Sequence, residues 1–162
     1  MQAVCYTLAE TPLGTMLLAG DEDGLCVASF QDGRHALEPE PYWQLDPAPL
    51  VEVVAQLERY FLGELRRFDL SLNPRGTDFQ RAVWRALADI PYGVTTTYGQ
   101  IARRLGKPLG AARAVGAANG QNPIAVIIPC HRVVGEGGDL IGYGAGLRFK
   151  EFLLKHEGVL MV

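Results

Sequence analysis

Ten consecutive residues, Ala111 to Gly120, include only three side chains larger than a methyl group: Arg113, Val115 and Asn119. A helix of this composition gives up most of the side-chain burial that normally fixes a helix in place. It must therefore lie against something that demands close backbone approach. Two partners meet that demand. One is a tightly packed neighbouring helix. The other is a nucleic-acid groove, with Arg113 pointing into the duplex; otherwise Arg113 is an ordinary solvated arginine.

The residues before this run are well punctuated. Thr77-Asp78-Phe79-Gln80 and Thr97-Tyr98-Gly99-Gln100 both fit a capping box, in which the Thr hydroxyl and Gln amide satisfy orphan amides of the first turn. The first opens a helix with the apolar stripe Phe79, Val83, Trp84 and Leu87, stopped by Pro91-Tyr92-Gly93. The second opens a short helix carrying Ile101 and Leu105 and ended by Gly106. Lys107-Pro108-Leu109-Gly110 then turns the chain into the small-residue run, giving the proportions of a helix-turn-helix.

The first half reads as an α+β unit. Turn chemistry at Thr11-Pro12-Leu13-Gly14 and Asp21-Glu22-Asp23-Gly24 brackets the apolar stretches Met16–Ala19 and Leu25–Phe30, which suit a hairpin. Residues 31–49 read as a loop. Val53, Val54, Leu57, Tyr60 and Phe61 recur at helical spacing up to Gly63, and Phe68, Leu70 and Leu72 alternate like a strand. Asn73-Pro74-Arg75-Gly76 is the best domain boundary.

The net charge of −3 hides an asymmetry across that boundary. Residues 1–74 carry four arginines against twelve acids, whereas residues 75–162 carry eleven basic residues against six acids. Such a split points to a basic, phosphate-facing half beside an acidic one, or to chance surface variation. The first residues lack the basic end and apolar stretch of a secretory signal, which reads as intracellular, in the cytoplasm. Cys5, Cys26 and Cys130 stand far apart with no C-x-x-C pair, so reduced thiols are expected.

Cys130 closes the apolar run Ile124–Ile128, read as a buried extended segment, and is followed by His131-Arg132. The Cys-His pair lacks the companions of a metal site. Cys130 is then an inert core residue, or a nucleophile with His131 and Arg132 providing an electropositive setting. Neighbours on an extended segment point to opposite sides, so a direct Cys130–His131 bond is awkward. A bridging water or a sharp turn after Pro129 would remove that difficulty.

Ile128 to Val133, Ile-Pro-Cys-His-Arg-Val, resembles the active-site signature of the O6-alkylguanine-DNA alkyltransferases, also called methylated-DNA–protein-cysteine methyltransferases. Thr97–Ala102, Ala112–Gly116, Asn122-Pro123 and His156-Glu157-Gly158 resemble further family motifs in the same order and spacing. The resemblance is strong from Thr77 to Gly158; earlier it rests on Thr11–Gly14 and the Tyr60-Phe61-x-Gly63 helix end.

The resemblance implies roles at these positions. Cys130 would accept the alkyl group. His131 would take its proton through a water, and Glu157 would orient His131 and balance its charge. Asn122 would form a hinge, and Tyr98 would hydrogen-bond the guanine ring. Arg113 would fill the gap left by an extruded nucleotide, with Ala112, Ala114, Gly116 and Ala117 facing the minor groove. Val133, Tyr143, Gly144 and Ala145 would line the pocket.

Two departures from the family pattern stand out. Ala145 adds a methyl where many relatives have glycine, which bears on bulky adducts. Gln121 stands where glycine often precedes Asn122-Pro123, which bears on hinge freedom.

The resemblance also implies two domains. Residues 1–74 would form a small ribonuclease-H-like α+β domain of structural role. Residues 75–162 would form a helical, winged-helix-type domain carrying the chemistry. The expected activity is single-turnover transfer from O6-alkylguanine, with O4-alkylthymine a further candidate, in double-stranded DNA read with low sequence preference. No metal, dissociable cofactor or membrane is expected, and the chain is expected to be monomeric. The rival readings are a non-catalytic DNA-damage-binding or regulatory protein, which leaves Cys130 without purpose, and a cysteine hydrolase, which leaves Arg113 unexplained.

Overall fold

Two-residue turns at Pro12-Leu13 and Glu22-Asp23 fold the chain's beginning into an antiparallel meander of β1 (Cys5–Thr11), β2 (Gly14–Asp21) and β3 (Gly24–Phe30). The computed structural model describes residues 3–140 and 143–160. The expected hairpin is thus its second and third strands. β1 escapes sequence reading because its faces do not separate cleanly into buried and exposed. A two-residue β4 (Gln44–Leu45), inside the segment read as a loop, adds a parallel edge beside β1. The sheet order is β3-β2-β1-β4.

Successive residues of β2 point to opposite faces. Met16 and Leu18 enter the main core, while Leu17 and Ala19 join Val4, Cys26 and Val27 in a smaller cluster beneath Tyr6 and Trp43. α1 (Val51–Phe61) lays Val53, Leu57 and Tyr60 into the main core. Phe68, Leu70 and Leu72 show the expected alternation of exposure but form no strand; Leu72 alone bridges to Leu25. The physical reason is a side chain that replaces a ladder. Gln56 accepts from the Asp69 N–H at 2.9 Å and donates to the Asp69 carbonyl at 3.0 Å.

Both capping boxes form as the sequence predicts, opening α2 (Asp78–Ala88) and α3 (Tyr98–Arg104). α4 (Ala112–Gly120) follows α3 across a short turn and packs on both α2 and α3, completing the helix-turn-helix. β5 (Thr96–Thr97) and β6 (Val133–Val134) pair in parallel, and α5 (Leu147–His156) closes the chain.

Ile124–Ile128 is not an extended segment but a compact turn. Ile128 N–H donates to the Ile124 carbonyl, Ile127 N–H to Ala125, and Val126 takes a φ of +70°. A β-branched residue is strained there, and two sets of bonds hold it. Asn122 grips the turn through Ile124 N–H, Ile124 carbonyl and Ile128 carbonyl. The edge of β3 grips it through Ala28 N–H to the Pro123 carbonyl and Ala125 N–H to the Ala28 carbonyl. The apolar residues read correctly as buried; the backbone shape is fixed by these side-chain and sheet-edge bonds.

One core runs through both halves. Phe30 of β3 stacks on Phe149 of α5 with centroids 4.8 Å apart, and Tyr60 of α1 lies edge-on to Tyr92 after α2. Among the described residues no helix is long and apolar enough to cross a membrane. α4 itself is anchored by Trp84, whose indole N–H donates to the Ala118 carbonyl at 2.9 Å. Trp84→Phe removes that bond and part of the buried ring, and should cost about 1–3 kcal/mol. The check is a lower urea midpoint with an unchanged slope.

Candidate active site

Pro129, with φ −82° and ψ 62°, breaks the chain into one 3-10 turn, Cys130–Arg132. On that turn successive side chains diverge by about a third of a revolution instead of alternating, so the geometric difficulty of an extended segment does not arise. All three side chains are buried: Cys130 faces a cavity, while His131 and Arg132 both turn to Glu157.

Cys130 borders a cavity of about 620 Å³. Burial pushes its thiol pKa up, against the opposing pull of the Asn122 side chain, the Lys150 charge and the Tyr143 hydroxyl. It rests as a neutral thiol. The Cys130 carbonyl accepts from Asn119 Nδ2 at 3.4 Å, so α4 touches the nucleophile's own backbone. No sequence motif marks Asn119 for this contact. Its signal was being a polar residue on the face of α4 that also carries Val115 and Ala118, and that face is buried.

His131 is fully buried, and its Nε2 lies 2.8 Å from Glu157 Oε2. An ionised carboxylate can only accept, which places the hydrogen on Nε2 and a lone pair on Nδ1. Nδ1 has no hydrogen-bond partner among the described residues. Burial lowers the His131 pKa, against the opposing attraction of Glu157, so the neutral imidazole is the resting form.

Arg132 does not serve the thiol as expected. Its Nε and Nη2 donate to Glu157 at 2.8 and 3.0 Å, and Nη1 donates to the Ile90 carbonyl at 2.6 Å. Glu157, the cap residue of α5, therefore accepts from His131, from the Nε–Nη2 edge of Arg132 and from Tyr60 Oη at 2.6 Å. Burial opposes its ionisation, but the bonds from His131, Arg132 and Tyr60 outweigh it and hold the carboxyl well below the usual range.

The cavity is shared between the halves. Asn122, Tyr143, Gly144 and Ala145 line it from one side, and Phe30 and Arg34 from the other. Tyr143 is buried, whereas Gly144 and Ala145 are half-buried. Gly144 sits so close to the Gly120 carbonyl that a side chain there would collide with it. The Ala145 carbonyl accepts from Arg34 N–H at 2.9 Å, and the Ala145 methyl packs towards Gly33, where an added Cβ would lie 3.0 Å from it. Arg34 and Gly33 carry no sequence signal, because a loop gives no period to read. Val133 does not line the cavity; it is buried, and its carbonyl accepts from Lys150 Nζ at 2.5 Å.

Tyr98 is half-buried at the start of α3, with its hydroxyl pKa pushed up to about 12 by burial and then by the nearby Cys130. It remains a neutral donor at physiological pH. On α4, Arg113, Ala114 and Ala117 are exposed, while Ala112 and Gly116 are half-buried. Gln121, the hinge departure, is tied down by a 2.6 Å bond from Gln80 of the first capping box. His156 is a packing residue: it stacks on Phe152, and its Nε2 donates to the Tyr60 carbonyl at 2.8 Å.

Two family models match, together spanning nearly the whole chain. That for the 6-O-methylguanine DNA methyltransferase, DNA binding domain covers residues 78–159, and that for the ribonuclease-like domain covers residues 4–74. The methylated-DNA–protein-cysteine methyltransferase of Methanosarcina acetivorans is 53% identical over 153 residues, 94% of this chain and 97% of that protein. The crystal structure of Mycobacterium tuberculosis O6-methylguanine methyltransferase superposes with a TM-score of 0.86 at 49% identity, covering 95% of this chain and 92% of that one. The same organism's protein in complex with DNA gives a TM-score of 0.87 at 48% identity, covering 94% and 92%.

Two buried groups make stability depend on acid. The folded His131 pKa lies below its unfolded value of about 6.5, and the folded Glu157 pKa below about 4.3. In both cases the unfolded chain binds a proton that the folded chain refuses, so stability is present above the unfolded value and falls as pH falls. His131 acts first, below about pH 6.5. Between pH 7.5 and 5.5, wild type should lose about 1 kcal/mol more than His131→Gln. Urea titrations of both proteins at the two pH values check this; parallel losses would contradict it.

Proposed function

Since the chain belongs to the 6-O-methylguanine DNA methyltransferase family, we propose that it repairs DNA by direct reversal, moving the alkyl group of O6-alkylguanine onto Cys130. The observation that carries this reading is the buried Cys130 thiol at a cavity, beside a neutral His131 whose proton position is fixed by Glu157. The relatives' names state methyl transfer from methylated DNA to a protein cysteine, and one solved relative is in complex with DNA.

The reaction follows from these groups. His131 Nδ1, through one water, takes the proton of the Cys130 thiol, and Glu157 balances the imidazolium that forms. The thiolate attacks the alkyl carbon, forming the S–C bond as the C–O6 bond breaks. The electron pair stays on the guanine, which takes a proton with help from the Tyr98 hydroxyl. The proton held by His131 is released through the water, so that the imidazole and the phenol both end neutral. The product is a thioether that no residue here can hydrolyse, so each molecule acts once and no dissociable cofactor is needed. The three cysteines, all without disulfides, suit the reducing cytoplasm where such a protein would meet chromosomal DNA.

Delivery of the base falls to α4. Its exposed Arg113, Ala114 and Ala117, with half-buried Ala112 and Gly116, present a flat surface with one long cation. Such a surface approaches a minor groove closely and reads phosphates and shape more than base sequence. A base inside the duplex hides its O6 substituent, so the nucleotide must be extruded at a cost of a few kcal/mol. Arg113 occupying the vacancy offsets part of that cost. Asn122 joins this helix to the nucleophile's turn. Residues 1–74 form the domain that buttresses the turn and closes one side of the cavity, and residues 75–162 carry the chemistry.

Excess duplex containing labelled O6-methylguanine should leave one stable label per protein, mapped by digestion to the Cys130 peptide and lost in Cys130→Ala. Turnover, or binding without transfer, contradicts the reading. Arg113→Ala should slow repair of duplex at least about tenfold more than transfer from the free base, the ratio expected if roughly 1.4 kcal/mol of extrusion cost goes uncompensated. Equal losses on both substrates would remove Arg113 from this role.

A further inference from the structure

Glu157 Oε2 accepts three donors, and one of them comes from the other half of the chain. Tyr60 Oη reaches it at 2.6 Å from the last turn of α1, beside His131 Nε2 at 2.8 Å and Arg132 Nη2 at 3.0 Å. Tyr60 is fully buried, and its ring packs on Phe61, Phe68 and His156. It is held at both ends by consecutive residues of the α5 terminus: Glu157 accepts a hydrogen bond from its hydroxyl, and His156 donates to its carbonyl at 2.8 Å.

Packing alone does not explain a tyrosine here. A phenylalanine would fill the same aromatic nest without the cost of burying a hydroxyl. Among the described residues the hydroxyl's hydrogen-bond partner is the oxygen that faces His131.

We propose that Tyr60 is a positioning residue of the alkyl-transfer relay, through which the N-terminal domain sets both the placement and the basicity of the Glu157 oxygen facing His131. The inference rests on the Cys130–His131–Glu157 reading above. A donor on Oε2 draws negative charge away from the contact with His131, so the carboxylate pulls less strongly on the imidazolium. Tyr60 thereby keeps His131 neutral and ready as a base over a wider range of acid.

The other groups around this pair do not substitute for it. Arg132, from the 3-10 turn, is already committed to Glu157 and Ile90. Lys150 of α5, with its pKa lowered to about 8 by burial, adds positive charge near His131. Cys130 and the hydroxyls of Tyr92 and Tyr143 are uncharged at neutral pH, all three with pKa values raised by burial first. Burial and Glu157 raise the Tyr60 pKa as well, so its hydroxyl remains a donor wherever the protein is folded.

The test is the pH profile of single-turnover methyl transfer, followed by label on Cys130. Tyr60→Phe should move the acid limb up by about half to one pH unit, slowing transfer well down that limb by about three- to tenfold while changing the alkaline plateau less than about twofold. Affinity for methylated duplex should be unchanged, and Tyr60→Phe should alter the rate of Glu157→Gln less than about twofold, since both act on one interaction. If Tyr60→Phe folds poorly, a ring-fluorinated tyrosine at this position keeps the shape, donates more strongly and should move the limb towards lower pH. A wild-type acid limb in both replacements, or full multiplicative effects of the Tyr60 and Glu157 changes, overturns the inference while leaving label transfer to Cys130 intact. A wild-type protein that places no label on Cys130 overturns the underlying reading instead.

Discussion

A single buried carboxylate organises this molecule. Glu157 sits just past the last turn of α5, at the negative end of that helix's dipole, where an anion is disfavoured. It is also withdrawn from water, at a cost of several kcal/mol for an unpaired ion. It stays ionised because Arg132, His131 and Tyr60 all donate to it. Those donors come from the nucleophile's turn and from α1, so the charge is satisfied only when both halves of the chain are in place. Stability and the proposed relay therefore depend on the same set of bonds.

The nucleophile's position has an equally non-local origin. Cys130 follows a turn whose Val126 adopts a backbone conformation that is unfavourable on its own. Asn122 holds that turn from within, and Ala28 on the β3 edge holds it from the other half. Asn119 of α4 then reaches the Cys130 carbonyl. The helix proposed to meet DNA and the sheet of the first domain are thus both bonded to the segment carrying the thiol. An exposed sheet edge would otherwise invite association; here it is used to brace the site.

What could be read from the chain follows from the range of each interaction. The capping boxes at Thr77 and Thr97 are local chemistry, and both appeared where the residues indicated. The Ala/Gly run identified α4, and the motif Ile128–Val133 identified the thiol. What stayed hidden depended on distant partners. Ile124–Ile128 looks extended because it is a continuous apolar run, too short for a helix and bounded by prolines, yet bonds to Asn122 and Ala28 curl it. Phe68, Leu70 and Leu72 have strand alternation, but the Gln56 side chain takes the place of a neighbouring strand. Arg132 looked like an activator of its neighbour Cys130, and only the fold shows it turned to Glu157 and Ile90. Tyr60, 97 positions from Glu157 and on the stripe of an amphipathic helix, carried the pattern of a core residue.

The burial of Cys130 suits a protein that acts once. A thiol with a depressed pKa would be mostly thiolate at rest, open to oxidation and to stray electrophiles. For an enzyme that turns over, such losses are diluted by many productive cycles. For a stoichiometric acceptor, each stray reaction removes a whole molecule. Here burial keeps the sulfur protonated and nearly inaccessible, and the base that can activate it is itself buried and neutral. Reactivity then requires a substrate that fits the cavity and places its alkyl carbon against the sulfur. Selectivity thus comes from withholding the thiolate until the extruded base arrives, and that is why the relay behind the cysteine is built from buried groups with tightly fixed protons.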